Sequence, residues 1–159
     1  MTRTTLLSAL ASMGALAFGT LPARAANDAV RHTDAEWRRL LPPETYYVMR
    51  HEGTERAFSS PLDEEKRPGV YRCRGCDLAL YSSKTKFDSG TGWPSFWQPL
   101  PDAIATKADF TYGIPVTEVH CRRCEGHLGH VFNDGPKPTG LRYCMDGVAL
   151  RFVPGVTPS

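Results

Sequence analysis

The chain has 159 residues, with 19 basic and 17 acidic side chains and a formal net charge of +2. Charges of both signs are scattered along it, so it offers no basic face for nucleic acid and no acidic tail. Thirteen prolines and fourteen glycines favour short strands and many turns over long helices, in a length that suits one domain with a modest core.

Residues 1–25, MTRTTLLSALASMGALAFGTLPARA, join a basic Arg3 to an apolar run from Leu6 to about Thr20 and a small-residue end at Ala23-Arg24-Ala25. That is the pattern of a secretory signal peptide cleaved near Ala25, leaving a single domain over 26–159. The run is shorter than the ~20 residues of a spanning helix, so no stable membrane insertion is expected. An uncleaved N-terminal helix and an organelle transit peptide are the competing readings. Thr2-Arg3-Thr4 holds no twin arginine, which points to the general export route and a bacterial periplasm.

Next, Thr33-Asp34-Ala35-Glu36 predicts a capped helix start, with Trp37, Leu40 and Leu41 sharing a face before Pro42. A second short helix is expected from Pro43 to about His51, with Tyr46, Tyr47 and Met49 as apolar surface and Gly53 as its terminator. The pattern then turns to β. Strands are predicted over Val70–Cys73, Leu78–Tyr81, Val116–His120, His130–Phe132 and Leu141–Phe152.

Four of the five cysteines form two CxxC pairs, Cys73/Cys76 and Cys121/Cys124, each after a strand. Two such knuckles brought together present four thiolates in a tetrahedron, the geometry of a closed, structural Zn²⁺ site, one per chain. In an oxidising compartment the same cysteines could form two disulfides, but a bond within a CxxC closes too small a loop to restrain the unfolded chain much. The run Cys121-x-x-Cys124-x-x-His127-x-x-His130 could also hold a metal alone, leaving the first pair without a purpose.

Cys144 has no CxxC partner. It reads either as a buried small hydrophobe or as a redox-active thiol. Arg142 lies two residues earlier on the same strand face, where its charge favours thiolate. His127 and His130 sit in what reads as a glycine-containing loop and are suited to proton transfer. In KFDSGTGWPSFW, residues 86–97, Trp93 follows a glycine turn and is expected to face a pocket, where its ring could hold a methyl group.

The segments KFDSGTGWPSF, VHCRRCEGHLGHVFNDGP and TGLRYC, with GTER at 53–56, resemble the type B methionine sulfoxide reductases over about Trp37 to Phe152. The resemblance implies a mainly β fold of two antiparallel sheets in a barrel-like core, with short N-terminal helices and a zinc-knuckle pair. It implies reduction of methionine-R-sulfoxide, with Cys144 as nucleophile and His130, His127 and Arg142 in the catalytic set. Trp93 then binds the substrate methyl, Asp134 and Asp146 match further positions around the substrate, and zinc falls on Cys73, Cys76, Cys121 and Cys124. The expected partners are oxidised proteins or peptides and a thioredoxin-like thiol reductant, with the chain acting as a monomer. The rival from another class is a non-catalytic zinc-knuckle module that binds peptides. Two positions depart from the family pattern: Thr91 stands where many members carry a resolving cysteine, and Asp146 stands where asparagine is usual.

Overall fold

A computed structural model describes residues 28–111 and 113–155. The signal-peptide segment lies outside the described residues. Among the described residues, no helix is long and apolar enough to cross a membrane.

Helix α1 spans Asp34–Leu40 and begins with the expected capping box, Thr33 and Glu36 each satisfying the other's backbone N–H. Trp37 and Leu41 are buried, whereas Leu40 is 58% exposed. The buried stripe follows the i,i+4 spacing, and Leu40 falls to its side. Helix α2, Pro43–His51, starts on a proline, where the missing N–H costs nothing. It ends on Glu52 in the left-handed region (φ 54°), not on Gly53. Gly53 packs against the exposed Tyr47 ring, which would have to shift to admit a Cβ. Val48 and Met49 carry the buried face of this helix, while Tyr47 is 56% exposed.

Among the described residues, nine strands form two antiparallel sheets. The smaller contains β1 (Gly69–Cys73), β2 (Ala79–Ser82) and β9 (Leu150–Pro154), in the order β2-β1-β9. The larger joins β3 (Lys86–Phe87), β4 (Ser95–Phe96), β5 (Ile104–Asp109), β6 (Val116–Cys121), β7 (His127–Phe132) and β8 (Arg142–Met145), in the order β3-β4-β8-β7-β6-β5. Both sheets are open, so the core is barrel-like only loosely. The stretch expected as one strand, 141–152, is divided. A 3-10 turn at Gly147–Ala149 ends β8 in the large sheet and delivers β9 to the small one. Its Gly147 lies against Ser60, where a Cβ would come within 1.9 Å of the hydroxyl.

Tyr71 and Tyr81 from the small sheet and Phe96, Val119, Leu128 and Met145 from the large one are fully buried together. The Tyr81 and Phe96 rings stack with centroids 4.4 Å apart. At roughly 1.5–3 kcal/mol for each large apolar side chain buried, this layer dominates the stability of the domain.

Candidate active site and metal centre

The two CxxC segments close on the same local hydrogen bonds. Asp77 and Glu125, one residue past each pair, take left-handed conformations (φ 62° and 58°). Their N–H groups return to the carbonyls of Cys73 and Cys121 at 2.9 Å. Each turn closes a strand, β1 or β6, and the core packing brings the two turns together. All four sulfurs then lie within 4.8 Å of one another, with Cys73–Cys124 and Cys76–Cys121 separations of 3.5 Å. A tetrahedron with Zn–S bonds of about 2.3 Å has edges near 3.8 Å, so the cluster fits a zinc-sized ion with little adjustment. Four protein thiolates would complete the coordination shell, and the group would supply folding energy rather than chemistry. None of the five cysteines is in a disulfide. His127 and His130 are elsewhere, which removes the compact Cys121–His130 metal reading.

Cys144 lies on β8 between two neighbours, directly opposite Ser95 of β4 and His130 of β7. It borders a cavity of about 310 Å³. The walls are mostly apolar, from Trp93, Ile114, Val116 and Phe132, and His130 and Asp146 are the titratable groups that join Cys144 in the lining. Trp93 is half-buried, and its indole N–H donates to the Glu55 carbonyl at 3.2 Å, which fixes the ring plane against the pocket.

Both histidines lie on β7, which begins at His127 and not, as the pattern predicts, at His130. In a regular strand a spacing of three would send them to opposite faces. A register shift at Val119/His120, with Gly129 at φ 146°, brings their rings to the same side with centroids 5.3 Å apart. Glycine is required at 129, because a Cβ would lie 2.1 Å from the Cys144 carbonyl oxygen. The imidazoles have separate acidic partners: His130 Nε2 lies 2.8 Å from Asp109 Oδ2, and His127 Nδ1 2.8 Å from Glu118 Oε1. Burial by itself would raise the Glu118 carboxyl, but hydrogen bonds from His120 and His127 hold it at about 2. Bonds from Thr111, and then His130, keep Asp109 well below the usual carboxylate range.

Arg142 shares β8 with Cys144, and its side chain is only 13% exposed. Its guanidinium makes a two-pronged pair with Asp134, both contacts 2.8 Å, and lies 4.4 Å above the Phe132 ring. Asp134 is largely exposed, and the structure places it behind Arg142 rather than in the cavity wall. The net effect on Cys144 differs from what Arg142 alone suggests. Burial pushes the thiol up, the Thr91 hydroxyl and then the Arg142 charge pull it down, and Asp146 pushes it up again. Desolvation wins, so the unliganded pocket holds a thiol above the ordinary value.

Asp146 is buried and points into the same region. Its Oδ1 accepts the Glu55 N–H at 2.8 Å, and its Oδ2 is 3.9 Å from His127 Nε2. Glu55 in turn accepts the N–H groups of Gly147 and Val148, at 2.7 and 2.9 Å. The sequence by itself gives no role to Glu55, Asp109 or Glu118. The signals available are the place of Glu55 in the segment GTER and, for Glu118, an acidic residue inside the alternating strand VTEVH.

A solitary thiol in an apolar pocket with imidazoles at hand, on a fold anchored by four other thiols, defines a protein built for thiol redox chemistry. The SelR domain matches residues 41–154. The peptide methionine sulfoxide reductase MsrB of Agrobacterium fabrum is 50% identical over 126 residues, covering 79% of this chain and 93% of the relative. The MsrB of Pseudomonas putida is 55% identical over 120 residues, 75% of this chain and 90% of the relative. A chloroplastic peptide methionine sulfoxide reductase B1 of Arabidopsis thaliana is 50% identical over 79% of this chain and 62% of its own length. The chain belongs to the SelR domain family, that of the MsrB reductases.

Proposed function

We propose that this chain reduces methionine-R-sulfoxide, in oxidised proteins or peptides, to methionine at the expense of a thiol. One observation carries the reading: of five cysteines, four form a closed cluster and the fifth borders an apolar cavity beside Trp93 and His130. Nothing favours the peptide-binding module.

The Cys144 thiolate attacks the sulfoxide sulfur, forming an Sγ–S bond while the oxygen takes up one proton. The oxygen then moves to Sγ: an Sγ–O bond forms as the substrate S–O bond and the Sγ–S bond break, leaving methionine and a Cys144 sulfenic acid, with two electrons passed from the cysteine to the substrate. His130, opposite Cys144 and anchored on Asp109, is the preferred proton donor. Trp93 receives the substrate methyl and so discriminates between epimers. Arg142 and His127 tune the charge around Cys144, with Arg142 offsetting part of the burial that disfavours its thiolate. The zinc centre of Cys73, Cys76, Cys121 and Cys124 holds the fold and takes no part in the reaction.

With Thr91 beside Cys144, regeneration falls to an external reductant, a thioredoxin-like protein by preference. We further propose that the chain is exported to the periplasm and acts as a monomer. Arg3, the apolar run and Ala23-Arg24-Ala25 support export. N-terminal sequencing of protein recovered outside the cytoplasm should begin near Ala26.

The test of the activity is a comparison of R and S epimers of a methionine sulfoxide substrate with dithiothreitol as reductant. Turnover of R that vanishes in Cys144→Ser, with folding intact, is the expected result. Turnover of neither epimer overturns the reading.

A further inference from the structure

His127 Nε2 is buried with no hydrogen-bond partner, an unusual position for a polar ring nitrogen. The ring's other nitrogen is held by Glu118 at 2.8 Å, so that an ionised Glu118 accepts Nδ1–H and leaves the Nε2 lone pair facing inward. What it faces is Asp146 Oδ2, at 3.9 Å. The other Asp146 oxygen already accepts the Glu55 N–H, which makes Oδ2 the atom left to carry a proton. This carboxyl also lines the cavity of Cys144. We propose that Asp146 works in its neutral form, as a hydrogen-bond donor to the sulfoxide oxygen.

The charges around Asp146 favour the neutral form from nearly every side. Glu55 faces it from the loop after α2, Glu44 from α2 and Cys144 from β8, and all three carry or acquire negative charge. Against them stands His127 of β7, backed by Glu118 of β6, while His130 lines the far side of the cavity. Burial pushes the Asp146 carboxyl up to about 7, with the Glu55 N–H opposing the rise and the Glu55 charge adding to it. A neutral carboxyl donates where an amide would donate; an ionised one can only accept, and would repel both the sulfoxide oxygen and the Cys144 thiolate. The aspartate therefore turns a fixed hydrogen-bond donor into one that is lost as pH rises.

This inference rests on the reductase reading, and two measurements separate their failures. The first is kcat for an R-sulfoxide against pH, for the zinc-loaded mature chain and for Asp146→Asn. The wild type should lose rate at alkaline pH, by about tenfold per unit beyond the turning point, and the variant should lack that limb. Parallel profiles overturn the proposal. So does a folded Asp146→Asn that is inactive at every pH, because the carboxylate itself would then be required. The second measurement needs no turnover: a carbon-13 NMR titration of the aspartate carboxyls in Cys144→Ser, with and without N-acetylmethionine-R-sulfoxide. The Asp146 midpoint should rise with ligand. A midpoint that ligand leaves unmoved sinks the proposal. A raised midpoint in a chain whose wild type turns over nothing sinks the reductase reading alone.

Discussion

Thr91 Oγ1 lies 3.9 Å from Cys144 Sγ, its hydroxyl also joined to Ser89 Oγ at 2.8 Å. A side chain at 91 is thus already aimed at the reacting sulfur, and its chemistry decides how the sulfenic acid is resolved. Thr91→Cys should place a second thiol within reach of Cys144 and allow an internal disulfide. After a single turnover without reductant, mass spectrometry should find one added oxygen on Cys144 in the wild type. In the variant it should find Cys144 bonded to the introduced thiol, with no added oxygen. An internal disulfide to Cys144 in the wild type would refute the one-cysteine cycle.

The four-thiol centre should be indispensable to folding. Its ligands close the ends of β1 and β6 and tie the small sheet to the large one, so an ion there contributes to stability directly. Cys76→Ser or Cys124→Ser should release metal and abolish a cooperative melting transition. Elemental analysis and circular dichroism decide it; a variant that melts like the wild type and keeps its zinc excludes the site.

Stability should change with pH through two buried carboxyls that act in opposite senses. The Asp146 carboxyl, raised in the fold from 3.8 to about 7, contributes stability fully present below pH 3.8 and lost as pH rises towards 7. The slope is at most about 1.4 kcal/mol per pH unit, and Asp146→Asn should flatten it. Glu118, lowered from 4.5 to about 2, acts in the opposite sense: its contribution is present above pH 4.5 and lost on acidification. Glu118→Gln should flatten the acid limb alone. Urea midpoints measured across the pH range are the readout.

Trp93 should matter to binding the reacting group more than to folding, since it is half-buried at the cavity wall. Trp93→Ala removes an apolar wall worth roughly 1.5–3 kcal/mol, which corresponds to a loss of about tenfold to a hundredfold in kcat/KM. Trp93→Phe should recover part of it. An unchanged kcat/KM for the R epimer in Trp93→Ala would remove the ring from the substrate site.

Much of the site is legible in the sequence because short-range patterns encode it. The division of five cysteines into two CxxC pairs and an orphan needs only counting, and each CxxC turn closes on hydrogen bonds within five residues. The capping box at Thr33 and Glu36 is equally local. What escapes such reading is non-local. Residues 141–152 carry one continuous β pattern, and only packing of Gly147 against Ser60 shows where β8 stops and β9 joins the other sheet. The predicted strand starts at His130 and leaves His127 outside it because Gly129 interrupts the alternation, yet that glycine is what lets β7 press against β8.

Residue order is enough to pick out the groups proposed to carry the chemistry: the Cys144 sulfur, the two imidazoles, the Trp93 ring and four thiols suited to a metal. Their electrical setting comes from the folded chain alone. Asp109, Glu118 and Glu55 lie 21, 9 and 91 residues from His130, His127 and Asp146, the groups they hold, and no local pattern joins them. Hydrogen-bond partners across strands are fixed by register and burial, and burial is what turns Asp146 from an ordinary surface carboxylate into a group that titrates near neutrality.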